Sequence, residues 1–163
     1  MKRPSVYLDT SVINFLFADD SPDLQIITQS FFHDFVGPKL YQVCVSTFVL
    51  DELKQTLDRA HRLRLLTVLD DYQVELLPIL NMAEIESLAQ QYLQTGALPP
   101  SKLYDALHVA FCTVAKLDYL VSWNFKHLAN VNRERRLLAV NQSLGYLHSF
   151  RILNPLDLTG YGN

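Results

Sequence analysis

Short apolar runs alternate along this chain with longer segments in which apolar residues recur at helical spacing. The runs at residues 5–8, 41–45 and 119–122 are short, apolar and β-prone, as in strands buried on both faces. Two further strands are predicted at residues 74–79 and 150–153. Helices are predicted from Pro22 to the Gly37-Pro38 pair, from Thr47 through Leu57, over 58–69, from Asn81 to the Gly96 loop, over 102–116 and over 132–144.

This alternation predicts right-handed β-α-β units, and therefore a parallel sheet with helices on both faces. The predicted fold class is α/β, with three layers built around a mostly parallel sheet of four to five strands. A chain of 163 residues fits one such domain. We assign residues 1–157 to the domain and expect residues 158–163 to form a loose C-terminal tail.

The composition is that of a packed globular protein, with 49% hydrophobic and 19% charged residues. The net charge is −3, so a nucleic-acid partner would have to be held by a local basic patch. Cys44 and Cys112 are too few for a disulfide framework, so the expected location is the reducing cytoplasm. No apolar run approaches the length of a membrane-spanning helix, so no membrane association is expected.

Polar side chains follow two of the predicted strands at the point where each strand ends. Asp9 comes directly after the first strand, and Asn124 lies two residues past Ser122. Binding sites of open α/β sheets lie beyond the carboxyl ends of the strands, so these positions are candidates for function. Each residue could instead be a turn former or a helix cap.

Two further acids, Glu52 and Asp105, occupy helices that are apolar on two sides. If they converge with Asp9 at the sheet edge, carboxylates about 5 Å apart repel by about 3 kcal/mol at an effective dielectric constant of ~20. Lys102 is the only cation in a regular position nearby. Mg²⁺ or Mn²⁺, held by the three carboxylates and the Asn124 carbonyl, is the partner that best offsets this repulsion.

Four segments of the chain resemble the PIN-domain nucleases, including the VapC-type toxins of toxin–antitoxin pairs. They are Val6-Tyr7-Leu8-Asp9-Thr10-Ser11, Ser46-Thr47-Phe48-Val49-Leu50-Asp51-Glu52-Leu53, Tyr104-Asp105-Ala106-Leu107-His108-Val109-Ala110 and Leu120-Val121-Ser122-Trp123-Asn124-Phe125. The resemblance implies that Asp9, Glu52 and Asp105 are the acidic site residues. Asn124 stands at the fourth position, where many members carry Asp, so a second metal should bind more weakly.

The reaction that this resemblance implies is metal-dependent hydrolysis of an RNA phosphodiester bond. An ion held by Asp9 and Asp105 would bind the phosphate and activate a water, which Glu52 would orient. Asn124 and the Ser122 hydroxyl would position metal-bound waters or the phosphate. The resemblance also implies a toxin role, an antitoxin protein that blocks the site, and a homodimer.

An RNA substrate needs positive charge near these acids. The tightest basic cluster is Arg133, Arg135 and Arg136, and a second is His61, Arg62 and Arg64. Either cluster could instead be a solvated helix face. His108, His127 and Cys112 are expected to be structural, and Trp123 and Phe125 are expected to pack in the core, although they could stack on a base.

Two other classes of protein compete with the nuclease. Aspartyl-phosphate chemistry often uses a second Asp two residues after the first, but this chain has Ser11 there, which argues against it. The stronger alternative is a catalytically weak PIN-like module that binds RNA or a protein partner, which the loss of an acid at Asn124 suggests.

Overall fold

The computed structural model describes residues 2–161 and contains one five-stranded sheet. The strands are β1 Ser5–Leu8, β2 Gln42–Val45, β3 Glu75–Leu76, β4 Tyr119–Val121 and β5 Arg151–Leu153. All adjacent pairs are parallel, in the order β3-β2-β1-β4-β5, so the first strand lies at the centre. All four residues of β1 are buried, because helices cover both faces of the sheet.

Helices connect the strands and supply the outer layers of the fold. They are α1 Thr10–Asn14, α2 Pro22–Phe31, α3 Thr47–Lys54, α4 Arg59–Asp71, α5 Met82–Gln94, α6 Leu103–Val114, α7 Val131–Ser143 and α8 Pro155–Tyr161. A 3₁₀ turn at Phe15–Phe17 follows α1, and a π-helical turn at Phe32–Val36 extends α2 toward Gly37. The buried apolar side chains form one continuous core. The predicted α/β fold with a single domain is therefore confirmed.

The register of the sheet brings the carboxyl ends of the central strands together. Tyr7 pairs with Cys44 on one side and with Leu120 on the other, and Leu8 pairs with Val121. Parallel strands end at the same edge of a sheet, so the residues after β1, β2 and β4 meet there. We call this edge the carboxyl edge and the opposite one the amino edge.

Two predicted elements are shorter in the structure. The strand expected at residues 74–79 reduces to the exposed pair Glu75–Leu76, because it lies at the edge of the sheet and pairs only with β2. Leu57 was expected on the apolar side of a helix, but α3 ends at Lys54 and Leu57 is 96% exposed. The next helix starts separately, with the Asp58 side chain accepting from the N–H of His61.

The predicted tail begins inside a helix rather than in a loose segment. Asn154 Oδ1 accepts from the N–H of Asp157 (2.8 Å), and Pro155 occupies the first helical position of α8. Leu158 is fully buried, and α8 packs against α2. The last two residues, 162 and 163, lie outside the described residues. Within residues 2–161, no helix combines the length and the apolar character needed to cross a bilayer.

Candidate active site at the carboxyl edge

Asp9 lies at the carboxyl end of β1, where α1 begins. Its backbone N–H donates to Val121 O (3.1 Å), which holds the ends of β1 and β4 side by side. The Asp9 carboxylate accepts from the Ser11 hydroxyl (2.5 Å) and caps α1 by accepting from the N–H of Val12 (3.3 Å). Burial raises the pKa of Asp9, and nearby His108 and the Ser11 hydrogen bond offset only part of that rise.

Glu52 reaches the same edge from α3. The Ser46 hydroxyl accepts from the N–H of Phe48, which fixes the start of α3 directly after β2. Further along the helix, Glu52 Oε1 accepts from the Thr10 hydroxyl (2.5 Å) and from His108 Nε2 (2.6 Å). Burial alone would raise the pKa of Glu52, but the hydrogen bond and charge of His108 outweigh burial and the pKa lies below its ordinary value.

His108 supports Glu52 from inside the protein. Its side chain on α6 is 1% exposed, and its Nδ1 lies 2.7 Å from the Tyr7 hydroxyl. That hydroxyl in turn lies 2.8 Å from the Ser46 hydroxyl. A Glu52 carboxylate can only accept, so His108 Nε2 carries the proton of this contact. Nδ1, the Tyr7 hydroxyl and the Ser46 hydroxyl continue the hydrogen-bonded chain into the core.

Asp105 lies in the first turn of α6, within electrostatic range of the other two acids. Its pKa is raised to about 6, first by burial and then by the negative charge of Asp9, with a smaller rise from Glu52. His108 and Lys102 act in the opposite direction without cancelling the rise. The three acids therefore form one interacting cluster, as the order of the segments along the chain predicts.

Asn124 joins this cluster from the loop after β4. Its Nδ2 donates to Asp105 Oδ2 (3.0 Å), and its Oδ1 accepts from the N–H of His127 (3.1 Å). Ser122 is fully buried, and its hydroxyl accepts from the N–H of Asn124 (2.9 Å). Ser122 therefore holds the turn that presents the Asn124 amide to Asp105.

The donor chemistry of the cluster suits a hard divalent cation. Within residues 2–161, none of Asp9, Glu52 and Asp105 forms a salt bridge with a lysine or an arginine. Mg²⁺ and Mn²⁺ prefer carboxylate oxygens as ligands, and a bound ion would offset the repulsion between these acids. As the side chains lie, however, no three His, Cys, Asp or Glu residues of the described chain form a group that could hold a metal ion. Glu52 is engaged by His108, which leaves Asp9 and Asp105 as the candidate ligands.

Three cations surround His127, whose backbone N–H donates to Asn124. The pKa of His127 is lowered by desolvation and then by the charges of Lys102, Arg133 and Lys126. Lys102 also acts electrostatically on Asp105. Arg133 also donates from Nη1 to Ala97 O (2.7 Å), in the loop before α6. We call Lys102, Lys126 and Arg133 the basic rim.

The other predicted basic residues are not tied to the acids. Arg135 and Arg136 are exposed on α7, and no contact within the described residues places them beside the cluster. In the second predicted group, Arg62 donates to a backbone carbonyl (2.9 Å) and Arg64 lies 4.3 Å over the ring of Phe17. Of the predicted basic residues, Arg133 is the one that acts electrostatically on His127, next to Asn124.

The two aromatic residues that flank Asn124 differ in exposure. Trp123 is buried, as expected, and its Nε1 donates to the Thr28 hydroxyl (2.8 Å). Phe125 was expected in the core but is 48% exposed, because it lies on the outer side of the loop after β4. Its ring still contacts Trp123, with 5.6 Å between the ring centroids.

Sequence reasoning missed the polar residues that support the acids. Thr10 and Ser11 directly follow Asp9, so a run of hydroxyl residues at a strand end was an available signal. His108 was expected to be structural, and it is buried, but its hydrogen bond to Glu52 was not predicted. The contact between Tyr7 and His108 joins residues 101 positions apart, and no local pattern reports it.

A comparison with known families agrees with this geometry. The family model described as PIN domain matches residues 6–133, which is more than half of the chain and includes all four polar residues of the cluster. None of the curated proteins compared with the chain matches it.

Proposed function

The chain belongs to the PIN-domain family, whose members are in general nucleases, and on this premise we propose that it is a metal-dependent endoribonuclease. One observation carries the proposal beyond family membership. Asp9, Glu52 and Asp105 gather at the carboxyl edge without a lysine or arginine salt bridge within residues 2–161, and burial with mutual repulsion raises the pKa of Asp105 to about 6. Ionising all three carboxylates at this edge is unfavourable, and a bound divalent cation would offset that cost.

In this proposal Asp9 and Asp105 hold Mg²⁺ or Mn²⁺. When bound, such an ion polarises the scissile phosphate and activates a water for attack. The Asn124 Oδ1 is already used by His127, so we assign Asn124 to orienting the Asp105 carboxylate through Nδ2. Since Asn124 replaces an acid, the chain offers one negative charge fewer for a second ion.

Glu52 is proposed to orient the attacking water. Its hydrogen bonds from Thr10 and His108 both use Oε1, so Oε2 remains available for that water. His108 keeps Glu52 ionised and fixes its direction, which makes His108 a positioning residue. Tyr7 fixes the His108 ring from behind.

The RNA backbone is proposed to cross the basic rim as it enters the acidic site. Lys102, Lys126 and Arg133 supply phosphate contacts that the acids themselves repel. The rim is small and the net charge of the chain is −3, so we expect RNA binding to be weak and to weaken further as salt is added.

The decisive experiment is cleavage of single-stranded RNA in the presence of Mg²⁺ or Mn²⁺, with and without a chelator. Asp9→Asn should lower the cleavage rate by at least about 100-fold, because it removes a proposed ligand. Asp20→Asn changes the chain charge equally at an exposed position and should cleave normally. Cleavage that persists in Asp9→Asn, or that does not need a divalent ion, would contradict the proposal.

A second candidate function is a PIN-like module that binds RNA or a protein without cutting it. The hydrogen bond between Asn124 and Asp105 favours this candidate, because it satisfies an acid that a metal would otherwise need. RNA binding with no metal-dependent cleavage, in both the wild type and Asn124→Asp, would support the module. Cleavage that increases in Asn124→Asp would support the nuclease.

We further propose that the protein is a VapC-like toxin of the cytoplasm that works with an antitoxin and forms a homodimer. The support for these roles is family membership together with the resemblance of the four segments. Expression of the wild type should slow growth, and Asp9→Asn should not. A small neighbouring gene whose product relieves that growth defect would identify the antitoxin.

A further inference from the structure

A second charged region lies at the amino edge of the sheet, on the side opposite the acids. A cavity of about 610 Å³ opens there, beside the amino ends of β1, β4 and β5. Its ionisable lining residues come from three separate parts of the chain: Lys2, Arg3, Lys116, Asp118, His148 and Arg151. Lys2, Arg3, Lys116 and Arg151 carry a positive charge at neutral pH and Asp118 a negative one, and the charge of Arg151 is paired with Glu134. We call this region the basic cavity.

The carboxylate in the basic cavity does not neutralise it. Asp118 Oδ2 accepts from both the N–H (2.8 Å) and the hydroxyl (3.1 Å) of Ser5, and so it ties the start of β1 to the segment before β4. No salt bridge joins Asp118 to a cation within residues 2–161. The carboxylate therefore holds two segments of the sheet together, and its single negative charge is outnumbered by the cations of the lining.

The cations divide into two that are anchored and two that are available. Arg3 donates from Nη1 to Lys39 O (2.8 Å), and Arg151 donates from Nε to Glu134 Oε2 (3.1 Å). Lys2 and Lys116 are exposed, and their ammonium groups have no hydrogen-bond or salt-bridge partner among the described residues. The lining therefore has two guanidinium groups held by hydrogen bonds and two exposed ammonium groups that are available to a ligand.

The position of Lys116 adds a second, independent observation. Lys116 follows α6 with a φ of 55°, and the N–H groups of Leu117 and Lys116 donate to Cys112 O and Thr113 O, which closes the helix. Glycine is the residue that this left-handed position favours. The left-handed backbone conformation of Lys116 is less favourable for lysine than for glycine. Lysine at this position nevertheless adds a positive charge to the lining of the cavity.

We propose that the basic cavity is an anion site that binds a phosphate group. Several like charges in one concave surface focus a positive potential, and an anion relieves their mutual repulsion. Lysine ammonium groups bind phosphate as point charges, and a cavity of this size is within the range that holds small-molecule ligands. The phosphate belongs either to a free nucleotide or to the backbone of an RNA strand.

The test measures binding of inorganic phosphate, a 5′-mononucleotide and a short single-stranded RNA in the presence of a chelator. The chelator removes divalent ions, so the result does not depend on nuclease activity. Lys116→Glu and Lys2→Glu should each weaken binding by about tenfold. Arg59→Glu makes the same charge change on exposed α4, away from the cavity, and should have a smaller effect.

The three probes distinguish the source of the phosphate. If the mononucleotide binds well and Lys116→Glu weakens it, the ligand is a free nucleotide. If the RNA alone binds well, the ligand is an RNA backbone. In that case Lys116→Glu should reduce the slope of log K against the logarithm of the salt concentration by about 0.7. Binding of no probe, an equal loss in Arg59→Glu, or equally tight binding of an acidic peptide would overturn the proposal.

Discussion

The two edges of one sheet carry charge in opposite ways. At the carboxyl edge Asp9 is 3% exposed, and the acids there are held by hydroxyl groups, by His108 and by the Asn124 amide. At the amino edge Lys2 and Lys116 are exposed, and their ammonium groups lack such partners among the described residues. The acids are embedded in the fold, whereas these two cations are attached to its surface.

This difference decides which properties each edge controls. Burial removes water from a charge, so the carboxyl edge should couple the proposed cleavage to folding stability and to pH. Exposed charges are screened by salt and add little to stability, so the amino edge should control binding and leave the fold almost unchanged. Substitutions at matched positions can test this division.

The largest expected effect is at Glu52, which has a matched neighbour on the same helix. Glu52→Gln should reduce metal-dependent RNA cleavage by about 100-fold or more, because the proposed water-orienting carboxylate is lost. Asp51→Asn removes a charge one residue away, at an exposed position, and should cleave at the wild-type rate. Rates measured at saturating RNA would contradict the assignment if both variants cleaved equally well.

The next effect is on stability and concerns His108. His108→Ala should lower the free energy of unfolding by about 2–4 kcal/mol, because it leaves a cavity and removes the partners of Tyr7 and Glu52. His108→Gln can donate to Glu52 and accept from Tyr7, so it should recover part of both stability and cleavage. Urea unfolding would measure this series, and equal losses in the two variants would argue against the hydrogen-bonded chain.

These two residues also show how far the sequence predicts the site. Glu52 could be proposed as a site residue because a carboxylate on an apolar helix needs a partner, which the spacing along one helix indicates. His108 could not be assigned in this way, since its partners on β1 and α3 are 101 and 56 residues away. The apolar pattern of α6 indicates that His108 is buried. Its hydrogen-bond partners, however, depend on how α6 packs against β1 and α3, which lie far away in the sequence.

The same limit applies to the fold. The apolar runs predicted the central strands, because strands buried on both faces have a continuous pattern. The short edge strand β3 and the terminal helix α8 were misjudged, because their patterns are brief and their packing comes from neighbours. The basic cavity had an available signal: Lys2 and Lys116 stand just before β1 and β4, and residues before strands meet at the amino edge.

A smaller effect should follow from the pKa of Asp105, which folding raises from 3.8 to about 6. Between these values the folded protein holds a proton that the unfolded chain has released, so stability falls as the pH rises through this window. Asp105→Asn removes this penalty. The variant should be more stable than the wild type by about 1–2 kcal/mol at pH 8 and nearly unchanged at pH 4.

Divalent ions give the control for that experiment. Mn²⁺ should raise the melting temperature of the wild type at pH 8, because an ion that binds only the folded state stabilises it by mass action. The increase should shrink at pH 5, where protons compete for Asp105, and should be weak in Asp105→Asn. A rise of equal size in both proteins would place the bound ion elsewhere.

The smallest expected effect belongs to the amino edge and separates its fold from its binding. Lys116→Gly should stabilise the protein by about 0.5 kcal/mol, because glycine fits the φ of 55° and its greater freedom in the unfolded chain offsets only part of the gain. The same variant removes a charge from the basic cavity, so phosphate binding should weaken while cleavage of a short RNA at the acidic site stays unchanged. Thermal melting and phosphate titration on one sample would test both parts. A protein that gained stability and kept its phosphate affinity would show that Lys116 serves neither the fold nor the cavity, and the contrast between the two edges would then rest on the acids alone.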